Sequence, residues 1–139
     1  MKFEAVLQKL RSGVFRLTRA RRSIIRIFLD SGAPLSAAEV MALLLKVNVK
    51  VNKTTVYREI DFLMSQDLLR ELHLGDGKKR YEIMKDDHHH HLFCVNCSGV
   101  ECVELDRCLE AEEKKISEEN NFRTIKHSLK FLGLCARCQ

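Results

Sequence analysis

The chain has 139 residues, 45% hydrophobic and 31% charged, with six glycines and one proline. That is room for about one domain or two small ones, and the balance excludes a disordered or collagen-like chain and a large multidomain enzyme. The formal charge of +5 is unevenly spread: residues 1–85 carry 17 Lys/Arg against nine Asp/Glu, a net +8, and residues 86–139 carry seven against ten, a net −3. A basic first part points to a polyanionic partner. The acidic second part holds all six cysteines and the run His88-His89-His90-His91, which points to metal. No apolar run approaches the roughly 18–20 residues of a membrane span. Met1–Leu10 has neither an apolar core nor a small-residue cleavage motif, so no signal peptide is expected and the chain is expected to be cytoplasmic.

In chain order, a short helix is predicted near Phe3–Leu10. A second follows Thr18 as N-cap, carries Ile24, Ile25, Phe28 and Leu29 on one face, and stops at Asp30-Ser31-Gly32. A third begins at Ser36, with Glu39 completing a capping box and Val40, Leu43 and Leu44 inward. Asn52 caps a fourth that buries Val56, Ile60 and Leu63. The period then changes: Leu68–Leu74 and Lys79–Ile83 read as strands joined by Gly75-Asp76-Gly77-Lys78. Helices followed by a two-stranded ribbon describe a winged helix-turn-helix, a geometry that docks one helix in a DNA major groove. Lys53, Thr54, Thr55, Tyr57 and Arg58 crowd the first turns of the fourth helix. Hydroxyls and cations there suit phosphates and base edges. Arg16, Arg19, Arg21 and Arg22 gather at the start of the second helix, and Lys78, Lys79 and Arg80 on the ribbon. Each cluster alone reads equally well as a solvated face; their convergence on one known geometry favours DNA.

In the second part, Cys94/Cys97 and Cys135/Cys138 form two Cys-x-x-Cys pairs. Each pair can point two thiolates at one ion across a tight turn, and two pairs complete a tetrahedral structural zinc site. Consecutive histidines at a strand entrance face alternately, so His89 and His91 share one side and His88 and His90 the other, enough to feed two sites. Val100–Val103 reads as a strand and Leu105–Asn120 as an amphipathic helix with Leu105, Leu109 and Ile116 inward. Phe122–Leu132 reads as a long strand that puts His127 on its largely apolar face, with Glu110 and the His88/His90 side as partners for a ligand role. Cys108 reads as a small buried hydrophobe. Cys102, with Glu101 and Glu104 beside it, reads as a further ligand candidate.

Taken together, Thr54-Thr55-Val56-Tyr57-Arg58, Glu82, His88–His91, Leu92-Phe93-Cys94-x-x-Cys97, His127-Ser128-Leu129 and Gly133-Leu134-Cys135-x-x-Cys138 resemble the ferric uptake regulator (Fur) family of bacterial metal-dependent transcription repressors. The resemblance covers about residues 5–138. It implies an α+β chain with a winged-helix DNA-binding domain over 1–85 and a small α/β metal-binding dimerisation domain over 86–139. It further implies a homodimer on an inverted-repeat operator in double-stranded DNA. By that resemblance Tyr57, Arg58 and Thr55 read the major groove, and Arg16 and Arg21 hold the backbone or minor groove. Cys94, Cys97, Cys135 and Cys138 hold structural Zn(II). Glu82, His89 and His91 form a regulatory hinge site, taken by Fe(II) or Zn(II), with Mn(II) as a third candidate. His88, His90, Glu110 and His127 form a further site in the dimerisation domain.

Two departures bear on the metal. The loop before the third helix, Ala33-Pro34-Leu35, offers no ligand where the family often supplies a histidine. The acidic hinge ligand expected after the first Cys pair falls among Glu101, Cys102 and Glu104, and Cys102 and Glu104 are both retained as candidates. A thiolate there, and His90 where iron sensors often carry aspartate, both tilt the preference from Fe(II) towards Zn(II). A zinc hydrolase or deaminase is disfavoured, because the chain lacks His-Glu-x-x-His and His-x-Glu signatures and four thiolates leave no open position for water; no enzymatic activity is expected. A peroxide- or redox-sensing regulator on the same fold is the alternative, acting by oxidation of a ligand histidine or of the thiols. The resemblance weighs against it through Glu82, which is not aspartate.

Overall fold

A computed structural model describes residues 2–85 and 88–139 and resolves two compact units, residues 1–86 and 87–139. The domain boundary expected between 85 and 86 abuts residues outside the described ones.

The first unit comprises α1 (Phe3–Ser12), α2 (Arg19–Ser31), α3 (Ala37–Lys46) and α4 (Lys53–Ser65), followed by the antiparallel pair β1 (Leu69–His73) and β2 (Lys79–Ile83). The three predicted caps are made. Thr18 accepts from the Arg21 amide at 3.1 Å, and Asn52 from the Thr55 amide at 2.8 Å. Ser36 and Glu39 exchange both capping-box bonds, at 3.2 and 2.6 Å. Each cap satisfies amides that a helix start leaves unpaired and contributes about 1 kcal/mol. At the far end of α2, Gly32 takes φ 63°, a left-handed stop that needs no Cβ. The inward faces of the helices merge into one core, with Val6, Leu10, Ile24, Ile25, Val40, Leu44, Val56, Ile60 and Leu63 nearly free of solvent. This core holds α4 with its opposite face outward. One tie escaped the sequence reading: Leu35 pairs with Tyr81 through two backbone bonds of 2.9 and 2.8 Å, fastening the loop after Pro34 to β2.

The hairpin turn is pinned by charge. Both carboxylate oxygens of Asp76 accept from the Arg80 guanidinium, at 2.9 and 2.8 Å, so Arg80 is buried against the turn and the exposed cations of the ribbon are Lys78 and Lys79. The Arg80 hydrogen bonds lower the Asp76 pKa from 3.8 to about 2. Because the folded value lies below the unfolded one, the ion pair's contribution is complete above 3.8 and fades as pH falls through about 2. An NMR carboxyl titration is expected to give Asp76 a midpoint near 2, and Arg80→Met should return it to the ordinary aspartate range.

The second unit is a three-stranded sheet with β3 (His90–Cys94) in the centre. β4 (Val100–Val103) runs antiparallel on one side and β5 (Lys130–Gly133) parallel on the other, with α5 (Glu110–Asn120) between them in sequence. Two sequence expectations are corrected. The helix begins at Glu110, not Leu105, because Leu109 takes a left-handed turn at φ 48° before it. It buries no residue: Ile116 stays exposed, as does Leu105, on an element otherwise dominated by Glu and Lys. The long strand shrinks to Lys130–Gly133, the stretch that finds a ladder partner in β3. Residues 122–129 alternate in sequence yet pair with no strand among the described residues, and Ile125 is 92% exposed. Alternation specifies a strand only where a neighbour supplies the hydrogen bonds.

Candidate metal centres

The four-cysteine group closes the ends of β3 and β5. Cys94 is the last residue of β3, aligned with Gly133 of β5, and Cys135 follows two residues later. Each pair sits on a tight turn: the Ser98 amide donates to the Cys94 carbonyl at 2.9 Å and the Cys138 amide to the Cys135 carbonyl at 2.8 Å. All four sulfurs are free thiols within 4.8 Å of one another, and Cys97 and Cys135 are 3.7 Å apart. A tetrahedral centre with metal–sulfur bonds of about 2.3 Å requires edges of about 3.8 Å, so the donor set fits zinc. Amide donors aimed at the sulfurs, from Cys97 and then Cys135, lower the Cys94 pKa to about 6. The Arg137 amide lowers that of Cys135. At Cys138 a hydrogen bond from Asn96 is outweighed by Cys135, burial and the other thiols, and the pKa rises to about 11. Four thiolates in one place repel, and a cation removes that repulsion.

The histidine run divides as its alternation requires. The rings of His89 and His91 lie 5.1 Å apart in one group; those of His88 and His90 lie 4.7 Å apart in another. In the first, His91 is paired in register with Cys102, and His89, His91 and Cys102 each bring a ligand atom within 4.8 Å of the others. Among the three hinge candidates after the first Cys pair, the thiol is thus the one that joins the histidines. Glu104, exposed just after β4, joins no ligand group among the described residues, and Glu101 is aligned with Leu92. Glu82 lies in the first unit on β2, buried, and accepts from the Arg70 guanidinium Nε at 2.6 Å across the hairpin.

The second group is His88, His90, His127 and Cys108. The Cys108 sulfur lies 2.6 Å from His90 Nε2 and 3.2 Å from His127 Nε2, which in turn is 3.0 Å from His88 Nε2. Behind them, His127 Nδ1 meets Glu113 Oε1 at 2.6 Å and His90 Nδ1 meets the Leu129 carbonyl at 3.3 Å. Two expectations change here. Cys108 is not a sequestered hydrophobe but a half-buried thiol facing three imidazoles, and Glu110, expected as the carboxylate of this group, is not among its members. The carboxylate that touches the group is Glu113, and it does so through the outer nitrogen of His127. Burial, followed by Glu113, Glu112 and Glu110, raises the Cys108 pKa. No periodic pattern marks Cys108, because it sits in the irregular turn before α5.

Residues 12–132 match the model of the ferric uptake regulator family. The chain belongs to that family. The ferric uptake regulation protein of Neisseria meningitidis is 34% identical over 139 residues, covering 99% of this chain and 95% of that protein. Its Bacillus subtilis counterpart is 31% identical over 141 residues, covering 99% and 94%. Among solved structures, the Helicobacter pylori ferric uptake regulator Fur, whose structure reveals three functional metal binding sites, superposes with a TM-score of 0.86. It is 22% identical, with 99% of this chain and 94% of that chain covered.

In this member of the ferric uptake regulator family, the outward face of α4 carries Lys53, Thr54, Tyr57 and Arg58, all exposed, with Thr55 half-buried behind the Asn52 cap. The Lys53 ammonium lies 5.8 Å from the centre of the Tyr57 ring. Arg16 is exposed, and its carbonyl accepts from Arg21 at 2.7 Å. Arg21 is not displayed as the resemblance to the family implied. Its guanidinium makes a bidentate pair with Glu59 of α4, at 2.7 and 3.2 Å, and stacks on the Phe62 ring at 3.7 Å. An arginine so engaged clamps α2 to α4. Among the described residues, no helix is long and apolar enough to cross a membrane.

Proposed function

We propose that the chain is a metal-dependent transcriptional repressor that binds an inverted-repeat operator in double-stranded DNA as a cytoplasmic homodimer. Zn(II) at Cys94, Cys97, Cys135 and Cys138 is structural. Fe(II) or Zn(II) at Glu82, His89, His91 and Cys102 is the signal. The observation that carries this reading is the placement of ligand types on both units: Glu82 on β2 of the first, and the converging His89, His91 and Cys102 on the second. Ligands split in this way bind one ion together in a restricted set of relative orientations, and two recognition helices match their half-sites in a restricted set too. The ion supplies a cross-link between the two; the protein's own residues do the reading. Thr55, Tyr57 and Arg58 contact base edges, while Arg16, Lys78 and Lys79 reach phosphates. Exposed apolar side chains of the second unit, Leu92, Phe131, Leu132 and Leu134 among them, support self-association.

The test is a DNA titration of protein that retains its four-cysteine zinc, with the labile metal removed or restored, on a duplex selected from a random-sequence pool. Metal is expected to tighten binding about 5–150-fold, the usual range of an allosteric coupling, and DNA should tighten metal binding by the same factor. Equal DNA affinity in both states would defeat the proposal. Loss of binding after mild peroxide with Fe(II) loaded, and not with Mn(II), would select the redox-sensing alternative.

A further inference from the structure

The group on the other face of β3 has a donor set of its own. Three imidazoles and one thiol converge: His88, His90 and His127 through Nε2, and Cys108 through sulfur, all within 4.8 Å. The imidazoles do not converge by accident of packing. The Leu129 carbonyl and the Glu113 carboxylate take the outer nitrogens of His90 and His127, which fixes both rings with their inner nitrogen free to face an ion. Outer partners of this kind orient ligand histidines and raise their basicity. The groups behind the ligands are therefore already in place.

We infer that His88, His90, His127 and Cys108 form a four-coordinate His3Cys site that takes Zn(II)-class ions in preference to Fe(II) or Mn(II), with Cys108 as the thiolate that sets the preference. A site of three histidines and a carboxylate accommodates hard and borderline ions alike, whereas a thiolate favours the softer and tetrahedral ones. Glu110, which the family pattern places as ligand, is exposed at the start of α5 and outside the group. Its role passes to Cys108, two residues earlier, with Glu113 as the outer partner. On binding, the Cys108 S–H proton leaves to solvent and the sulfur lone pair forms the metal bond, with no change of oxidation state.

This inference rests on the metal-binding half of the proposed function and not on DNA recognition. The experiment uses the full chain with zinc retained in its four-cysteine site and Cys102→Ser introduced, so that Cys108 is the remaining thiol in the histidine groups. Co(II) is added under reducing, oxygen-free conditions. A sulfur-to-cobalt charge-transfer band in the near ultraviolet is expected, together with the intense visible bands of four-coordinate Co(II). Adding Cys108→Ser should abolish the charge-transfer band, and Glu113→Gln should keep it while weakening Co(II) binding about 10–100-fold. Co(II) uptake without the band in the Cys102→Ser protein, or a band that survives Cys108→Ser, would overturn the assignment. A second measurement needs no variant: in the native chain, Zn(II) and not Mn(II) should protect Cys108 from alkylation, read by peptide mass spectrometry. Unchanged alkylation of Cys108 with Zn(II) would equally overturn it. A cobalt–thiolate band with DNA affinity indifferent to metal would remove the repressor reading and leave this site standing. Metal-dependent DNA binding without the band would do the reverse.

Discussion

Replacing Cys135 with serine is expected to abolish zinc retention and to unfold the second unit while the first keeps its own melting transition. Among the described residues, the buried hydrophobics of the second unit are Phe93 and Cys94, the latter itself a ligand candidate. One buried Phe contributes about 1.5–3 kcal/mol, whereas a structural zinc site contributes about 10–16 kcal/mol to the folded state. The metal term dominates. β5 reaches β3 through four paired positions and then leads directly into Cys135 and Cys138, so without the ion its far end is untethered. The first unit has a continuous apolar core from Val6 to Ile83 that owes nothing to metal. Elemental analysis after chelator dialysis, with circular dichroism melts of the same samples, checks this. One zinc per chain should survive dialysis in the native protein and none in Cys135→Ser. A variant that kept its zinc and melted like the native chain would contradict the four-thiolate assignment.

The second large effect separates two arginines that the sequence reads alike. Arg58→Ala is expected to weaken DNA binding about 10–100-fold with an unchanged melting temperature, because Arg58 is exposed on α4 and a good base contact is worth about 1–3 kcal/mol. Arg21→Ala should do the opposite in kind. Its side chain is 13% exposed and its partner Glu59 15%, and removal leaves a largely buried carboxylate without its bidentate donor and the Phe62 ring without its cation. Losing hydrogen bonds to a charged group of this sort costs about 2 kcal/mol of stability. The melting temperature of the first unit should fall, and DNA affinity measured well below the new transition should change little. A melt and a binding curve on each variant decide it. Equal losses of DNA affinity with equal stability would place Arg21 at the DNA instead.

The first unit was largely readable because its instructions are local. Thr18, Ser36 and Asn52 each cap within three residues, the inward positions repeat at helical spacing, and Gly75-Asp76-Gly77 closes a hairpin of two residue-matched strands. The Leu35–Tyr81 pairing was not readable, since a bridge across 46 positions leaves no periodic mark. In the second unit the signals weaken. α5 carries little more than Ile116 to orient it, and the alternation over residues 122–132 overstated the strand.

By itself the sequence carried the resemblance to the family, the two-part organisation, the two Cys-x-x-Cys pairs and the division of the histidines into two alternating groups. The family was legible as a resemblance of the combined motifs, and the two parts as a shift in charge and cysteine content. Each Cys-x-x-Cys pair and the histidine division follow from spacing within one turn or along extended chain. Tertiary structure decided what each side chain meets across long separations. It set Cys108 against His90 and His127, 18 and 19 positions away, and left Glu110 out. It brought Cys102 to His91 across a strand pair, and turned Arg21 inward to Glu59, 38 positions on, while Arg58 stayed outward. A thiol or a guanidinium carries the same chemistry wherever it lies, and which partner it reaches depends on where separate elements pack, information that no local spacing holds.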